Sequence, residues 1–310
     1  MTKWMTFSAI RKLPKPFILA SAVLISAACI RADDRAAYDR SSLETLVRYL
    51  LLWGPEVKLD FEAPRPSPIA GYKEVRVRAT YGEGSQTETL FVSDDGKRVI
   101  QGSVYDVNRD PFRRVAERIS LQNQPRRGPP NAPLALVVFS DFECPMCRRL
   151  ADDLKSNVEK TYRGQASIYF KDLPLAARHP WAVEAAVAGR CVFHQNPEAF
   201  WAYHDWIFAH QSEITLDKFR EHALTAIQST SINREKLVSC MDSRETEPEI
   251  KESQREASDL GVSGTPTVFL NGRKMPGPSW PHLRSAIDFE LKKKTADDCH
   301  CVEDPTGKDP

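Results

Sequence analysis

With 43 basic and 42 acidic side chains in 310 residues, the chain has a formal charge of +1, so nothing electrostatic points to nucleic acid as a partner. A hydrophobic content of 41% and a charged content of 27% are those of a soluble globular protein, long enough for one large core or two ordinary ones. No period of about 20–50 residues repeats, which argues against a solenoid.

The chain opens on Lys3, Arg11, Lys12 and Lys15, then an apolar run from Phe17 to Ile30, then the polar Arg31-Ala32-Asp33-Asp34. A basic start, an apolar centre and the small residues Ser26-Ala27-Ala28 read as a secretory signal over residues 1–32. The run is shorter than the ~20 residues a membrane span needs. Cys29 after Ala27-Ala28 offers a second reading, a lipidated cysteine that tethers the protein to a membrane. Export, most simply to a periplasm, decides how the seven cysteines are read, because thiols outside the cytosol tend to be oxidised. Without Cys29 they fall by position into Cys144/Cys147, Cys191/Cys240 and Cys299/Cys301. Sequence alone leaves that connectivity open.

Residues 35–120 read as a small α+β domain. Ser41-Ser42-Leu43-Glu44 has capping-box spacing, and Leu43, Val47, Leu50 and Leu51 recur with helical period. Val75, Val77 and Ala79 alternate with Arg76 and Arg78, as in a strand buried on one face. Thr89–Val92 and Arg98–Ile100 flank Asp94-Asp95-Gly96, a hairpin signal, and a helix is expected from Pro111 to Ile119. The domain holds no cysteine and no catalytic constellation. Residues 121–133 carry four prolines among polar residues and read as a linker.

From residue 134 the pattern changes. Leu134–Phe139 is a continuous apolar run, typical of a strand covered on both faces. A helix follows from Pro145, with Leu150, Leu154 and Val158 on one face, and then a second strand, Ser167–Phe170. Strand, helix and strand at this spacing form a βαβ unit with a right-handed crossover. Residues 178–260 read as helices rich in Ala and aromatics, with Trp181, Phe193, Phe200, Trp201, Trp206 and Phe208 as their core. Thr267–Leu270 is another strand, Asn271-Gly272 a tight turn, residues 281–293 a closing helix, and residues 295–310 a flexible tail.

Cys144-Pro145-Met146-Cys147 falls where the first strand ends and the helix begins. Only a thiolate attacks a disulfide, and a helix N-terminus lowers a thiol from its free value of ~8.5. Pro145 suits the first helical turn, and Arg148 adds positive charge four residues past Cys144. Cys144 is the expected attacking thiol and Cys147 the resolving one. The competing reading of half a zinc site lacks a second ligand pair in suitable register. Neither a metal nor an organic cofactor is expected. Cys191/Cys240 read as either a structural staple or a second redox pair. Cys299-His300-Cys301 reads as metal capture, an exchangeable disulfide or an unpaired remnant.

Phe139-Ser-Asp-Phe-Glu-Cys-Pro-Met-Cys147 resembles the active-site segment of the DsbA-like branch of the thioredoxin superfamily. Gly261-Val-Ser-Gly-Thr-Pro-Thr267 resembles that branch's cis-proline loop, and Phe170–Pro174 and Phe200–Asp205 resemble its helical insertion. The resemblance covers roughly residues 131–293. It implies a thioredoxin fold of α/β class with a helical insertion, a thiol–disulfide oxidoreductase acting on cysteine-containing exported proteins, and a redox partner that resets the pair. It also implies that Thr265-Pro266 faces Cys144 and that the Thr265 backbone pairs with substrate. Many relatives carry an acidic proton acceptor six residues before the first cysteine. Val138 stands there in this chain, which leaves the proton shuttle unassigned, with Asp141 and Glu143 nearby in sequence and Lys171 a candidate to tune it. Leu90–Val107 is similar to the dimerisation module of periplasmic disulfide isomerases, which implies a homodimer. Metal delivery through the same thiols and a chaperone-like binding module are the alternatives outside this class.

Overall fold

The computed structural model describes residues 38–81 and 84–299, with side chains to residue 293. The expected signal over residues 1–32, including Cys29, lies outside the described residues, as does Cys301.

The first described element is α1 (Arg40–Leu51), followed by β1 (Lys58–Phe61), β2 (Arg65–Pro66), β3 (Tyr72–Tyr81), β4 (Gly84–Ser93) and β5 (Val99–Gln101). The helix is capped by Asp39, whose carboxylate accepts from Ser42 N at 2.8 Å. Ser41 sits inside the first turn instead of at its boundary, because the aspartate already satisfies a free N–H there. The strands lie in the order β1-β3-β4-β5, with β2 beside β3 and every pairing antiparallel. The alternation read from the sequence holds. Val75, Val77 and Ala79 are fully buried, and with Leu90, Val92, Leu43 and Val47 they form the core of this layer. The expected hairpin closes through Gly96, at φ 69°, where a side chain is disfavoured.

A second sheet comprises β6 (Arg126–Arg127), β7 (Leu134–Ser140), β8 (Ala166–Asp172), β9 (Thr267–Leu270) and β10 (Arg273–Lys274). Its strands lie in the order β10-β9-β7-β8-β6. Strands β7 and β8 are parallel, and the others are antiparallel to their neighbours. Their crossover is α3 (Pro145–Asp153), one π-helical turn over Leu154–Val158, and α4 (Glu159–Thr161). The insertion between β8 and β9 comprises α5 (Ala182–Gln195), α6 (Pro197–Ala209), α7 (Phe219–Ala226), α8 (Arg234–Ser243) and α9 (Glu247–Asp259).

Both faces of the sheet are covered, as a continuous apolar strand requires. Leu136, Val138, Ile168 and Phe170 face a large core built with α3, α5 and α6, and Val137, Phe139 and Tyr169 face a smaller one. Trp181, Phe200, Trp201 and Phe208 are buried in the large core, with Phe193 and Trp206 packed partly buried against it.

Three boundaries differ from expectation. Within the proline-rich stretch expected to be a linker, Arg126 and Arg127 pair with Tyr169 and Ile168 as an edge strand. The pairing satisfies backbone groups that the polar composition gave no reason to bury. The helix expected from Pro111 is α2 (Arg113–Arg118), and Val115 and Ile119 pack in the smaller core with Val137 and Phe139. Gly272, at φ +84°, lets this region approach, since a Cβ there would lie 2.5 Å from Phe112 O. The closing helix, α10, runs over Trp280–Cys299, so residues 295–299 are helical where a tail was expected.

Candidate active site

Strand β7 ends at Ser140, and the chain turns through Asp141, Phe142 and Glu143 into α3. Cys144 is the N-cap residue of that helix and Pro145 occupies its first turn. Both cysteines are free thiols and buried, Cys144 at 6% exposure and Cys147 at 1%. Pro145 and Met146 between them are exposed. Across from them Thr265-Pro266 is a cis peptide, and Cys144 Sγ donates to Thr265 O at 3.5 Å. The structure thus brings together Cys144, Cys147, Pro145, Met146, Thr265 and Pro266.

The two thiols are driven in opposite directions. Cys144 is lowered to about 5, first by the hydrogen bond from the Cys147 thiol and then by N–H groups of the helix start, against the effect of burial. Cys147 is pushed up, first by burial and then by its hydrogen bond to Cys144 and the charge there. Donors aimed at a sulfur favour its charged form, while burial without them favours the neutral form. The result is a nucleophile beside the surface loop and a proton-bearing thiol beneath it.

The groups proposed to tune the pair divide. Arg148 donates its backbone N–H to Cys144 O at 3.2 Å, the ordinary bond of the first helical turn, and its side-chain charge is not among the influences on the Cys144 thiol. Lys171 is not brought to the cysteines. It pairs with Phe139 across the strands, and its ammonium bonds Glu256 of α9. Val138 and Phe170, the neighbours of those two residues, line a cavity with Cys147, so the period of two along β8 sends Lys171 to the other face. Asp141 and Glu143 also point elsewhere. Asp141 accepts from Glu143 N and Leu175 N, both at 2.8 Å, and bonds His179 Nδ1 at 2.7 Å. Glu143 accepts from Trp181 N at 2.6 Å. Together they tie the active-site turn to the segment before α5.

Other contacts carry no local sequence signal. Gln211, after α6, donates from its amide to Phe142 O at 2.8 Å and Cys144 O at 3.1 Å. Ser140 bonds Cys147 and acts to lower its thiol, against the larger effect of burial. His204 of α6 lines the cavity that reaches Cys147. Away from the pair, Cys191 of α5 and Cys240 of α8 form a disulfide with a Cα–Cα distance of 5.9 Å, which decides their pairing. Among the described residues no group of three or more His, Cys, Asp or Glu side chains is placed to hold a metal ion. Cys299 ends α10, but its side chain lies outside the described set.

A family model described as Thioredoxin matches residues 120–289. The chain belongs to the thioredoxin family. A second model, described as the N-terminal domain of disulfide bond isomerase protein, matches residues 55–114. A relative from Bacillus anthracis, called probable disulfide bond formation protein D, is 28% identical over 200 residues, which is 63% of this chain and 91% of the relative. BdbD from Bacillus subtilis, in its oxidised crystal structure, superposes with a TM-score of 0.50 at 23% identity over 56% of this chain and 95% of its own. Alpha-DsbA1 from Wolbachia pipientis superposes with a TM-score of 0.51 at 18% identity over 58% of this chain and 96% of its own. Those two likenesses establish the thioredoxin fold with its helical insertion, α5–α9. Within the thioredoxin family the protein is a thiol–disulfide oxidoreductase similar to disulfide bond formation proteins, and its residues 55–114 resemble the N-terminal domain of a disulfide bond isomerase.

Proposed function

We propose that this thioredoxin-family protein donates disulfides to cysteine-containing substrate proteins outside the cytoplasm through Cys144 and Cys147. The observation that carries the reading is the geometry of the pair: Cys144 at the N-cap of α3 faces the cis Thr265-Pro266 peptide with buried Cys147 beneath it, an arrangement that lowers the Cys144 thiol and raises that of Cys147. A stabilised thiolate favours the dithiol form, which makes the disulfide form a stronger oxidant. A substrate thiolate attacks Cys144 Sγ, the internal disulfide breaks, and Cys147 leaves with the electron pair. A second substrate thiolate then attacks the mixed disulfide at the substrate sulfur, forms the substrate disulfide and releases Cys144. Two electrons pass from substrate to protein, and a redox partner removes them. Thr265-Pro266 is read as the edge on which an extended substrate lies, because its backbone stands beside Cys144.

The basic and apolar start of the chain supports export. The N-terminal match over residues 55–114 favours a second reading, in which two chains pair through that module and the exchange isomerises disulfides. Incubation with a reduced, unfolded protein and with a scrambled one separates the two. Oxidation of the first without repair of the second supports the donor, and repair of the second supports the isomerase. Failure of a Cys144→Ser, Cys147→Ser double variant to lose either activity contradicts both.

A further inference from the structure

The exchange chemistry leaves one proton without an owner. When the internal disulfide is reduced, Cys147 leaves as a thiolate that burial disfavours, so it must take up a proton. When it reforms, the Cys147 S–H must lose that proton as its sulfur attacks Cys144. Solvent is kept from Cys147, which is 1% exposed.

A cavity behind the pair supplies a route. It is lined by Cys147, Ser140, Val138 and His204, with Arg127 and Glu159 among its other walls. It has room for about one water molecule. Four titratable groups line it: Cys147, Arg127, Glu159 and His204. Arg127 keeps its proton at any ordinary pH. It also holds Glu159 in an ion pair at 2.9 Å. Val138 has no proton to exchange. His204 remains.

We propose that His204, oriented by Asp205, exchanges the proton of Cys147 through the Ser140 hydroxyl and a water in this cavity. This inference rests on the disulfide exchange proposed above. His204 acts through these intermediaries and does not touch the reacting sulfurs, so it is a positioning residue for the proton.

The surroundings of His204 fit the task. Its Nδ1 bonds Asp205 Oδ1 at 2.9 Å, which fixes the tautomer with the proton on Nδ1 and leaves Nε2 as the acceptor. The ring is clamped edge-on by Phe142, Phe170, Trp201 and Phe208. The charged groups that face it are Asp205 on its own helix, Arg127 on β6 and Lys155 on the π-helical turn, with Glu159 of α4, paired to Arg127, on the wall of the same cavity. Burial, the largest influence, outweighs Asp205 and holds the imidazole below its usual value. His204 is therefore neutral at pH 7 and able to accept. Asp205 stays ionised, held by Arg127 at 3.0 Å and Lys155 at 2.7 Å. As the Cys147 sulfur attacks Cys144 in the mixed disulfide with the redox partner, its proton passes to Nε2 and the thiolate of the redox partner departs with the electron pair. His204 then returns the proton to solvent, and the reverse step runs the same path backwards.

The test uses the reduced full-length protein and the disulfide of thionitrobenzoate as oxidant. The first thionitrobenzoate released reports attack by Cys144, and the second reports attack by Cys147 on the mixed disulfide. His204→Phe keeps an aromatic ring in the cluster and removes the base. The second phase is expected to slow by about 100-fold at pH 7, within the range of general acid–base effects. It should then climb tenfold per pH unit where the parent is flat, while the first phase is unchanged. A second phase within about twofold of the parent with the same pH profile overturns the proposal, and so does equal slowing of both phases. If His204→Phe fails to fold, Asp205→Asn serves in its place, with selective slowing of the second phase expected and an unchanged second phase overturning the proposal. Absence of a second release in the parent protein contradicts the exchange reading itself, which separates the two failures.

Discussion

The side-chain amide of Gln211 donates to the carbonyl oxygen of Cys144 at 3.1 Å, 67 residues away in sequence. With its second bond to Phe142 O at 2.8 Å, it holds the turn that presents the nucleophile. The helix start is pinned from behind by the helical insertion, in addition to its own backbone bonds.

Gln211→Ala leaves Phe142 O at a buried turn without its donor, while Cys144 O keeps the N–H groups of Cys147 and Arg148. Unsatisfied buried polar groups cost about 1–3 kcal/mol, so the variant is expected to lose roughly that stability in urea unfolding. Reaction of Cys144 with a small disulfide should slow as well, because the turn is freed. Unchanged stability and rate would mean that the bond contributes nothing.

The two cysteines should separate in a trapping experiment. Cys147→Ser leaves the attacking thiol in place and removes the group that resolves the mixed disulfide, so substrate adducts on Cys144 should accumulate and be visible by mass spectrometry. Cys144→Ser should form none. Adducts on Cys147 in that variant would reverse the assignment of roles.

The pH dependence follows from the shift of Cys144. Its thiol is lowered to about 5 in the folded protein, against an unfolded value of ~8.5. Between these values the unfolded chain binds more protons than the native dithiol protein, so stability rises with pH through this window. It is fully present above ~8.5 and lost as pH falls through about 5. The disulfide form lacks the titration. The melting temperature of the dithiol protein, minus that of the disulfide protein, should therefore grow from pH 5 to pH 8 in scanning calorimetry. Cys147 is raised and acts with the opposite sign, only above its unfolded value. A difference that stays flat over the window would contradict the lowered thiol.

The disulfide between Cys191 and Cys240 closes a loop with a sequence separation of 49. Cross-linking a loop of that length stabilises by about 4 kcal/mol in the chain-entropy account. A Cys191→Ala, Cys240→Ala variant is expected to unfold at lower denaturant by up to that amount while Cys144 exchanges at the parent rate. Loss of turnover with unchanged stability would instead mark the pair as a redox relay.

What the sequence made legible was whatever is local or periodic. The apolar run of β7, the alternation in β3 and the Cys144-Pro145-Met146-Cys147 junction each carry their reading within a few residues. The cis-proline loop was found by likeness to a family, and the structure joins it to Cys144 across 121 residues. Gln211 and His204 were not found, because their roles depend on where α6 lies against α3 and β7. Edge strand β6 was hidden by prolines and arginines, since an edge needs backbone pairing more than apolar side chains. Lys171 was misplaced because sequence proximity to the sheet does not say which face a residue takes. One position along β8 separates Phe170 beside the cysteines from Lys171 beside Glu256.

The central claim is that Cys144 and Cys147 form an oxidising pair, and its most direct test is their reduction potential. The full-length protein would be equilibrated in glutathione buffers, quenched by alkylation and read by mass. A stabilised Cys144 thiolate predicts a value near the ~−120 mV of strongly oxidising members of the fold. A value near the ~−270 mV of thioredoxin, or a pair that does not cycle, would contradict it.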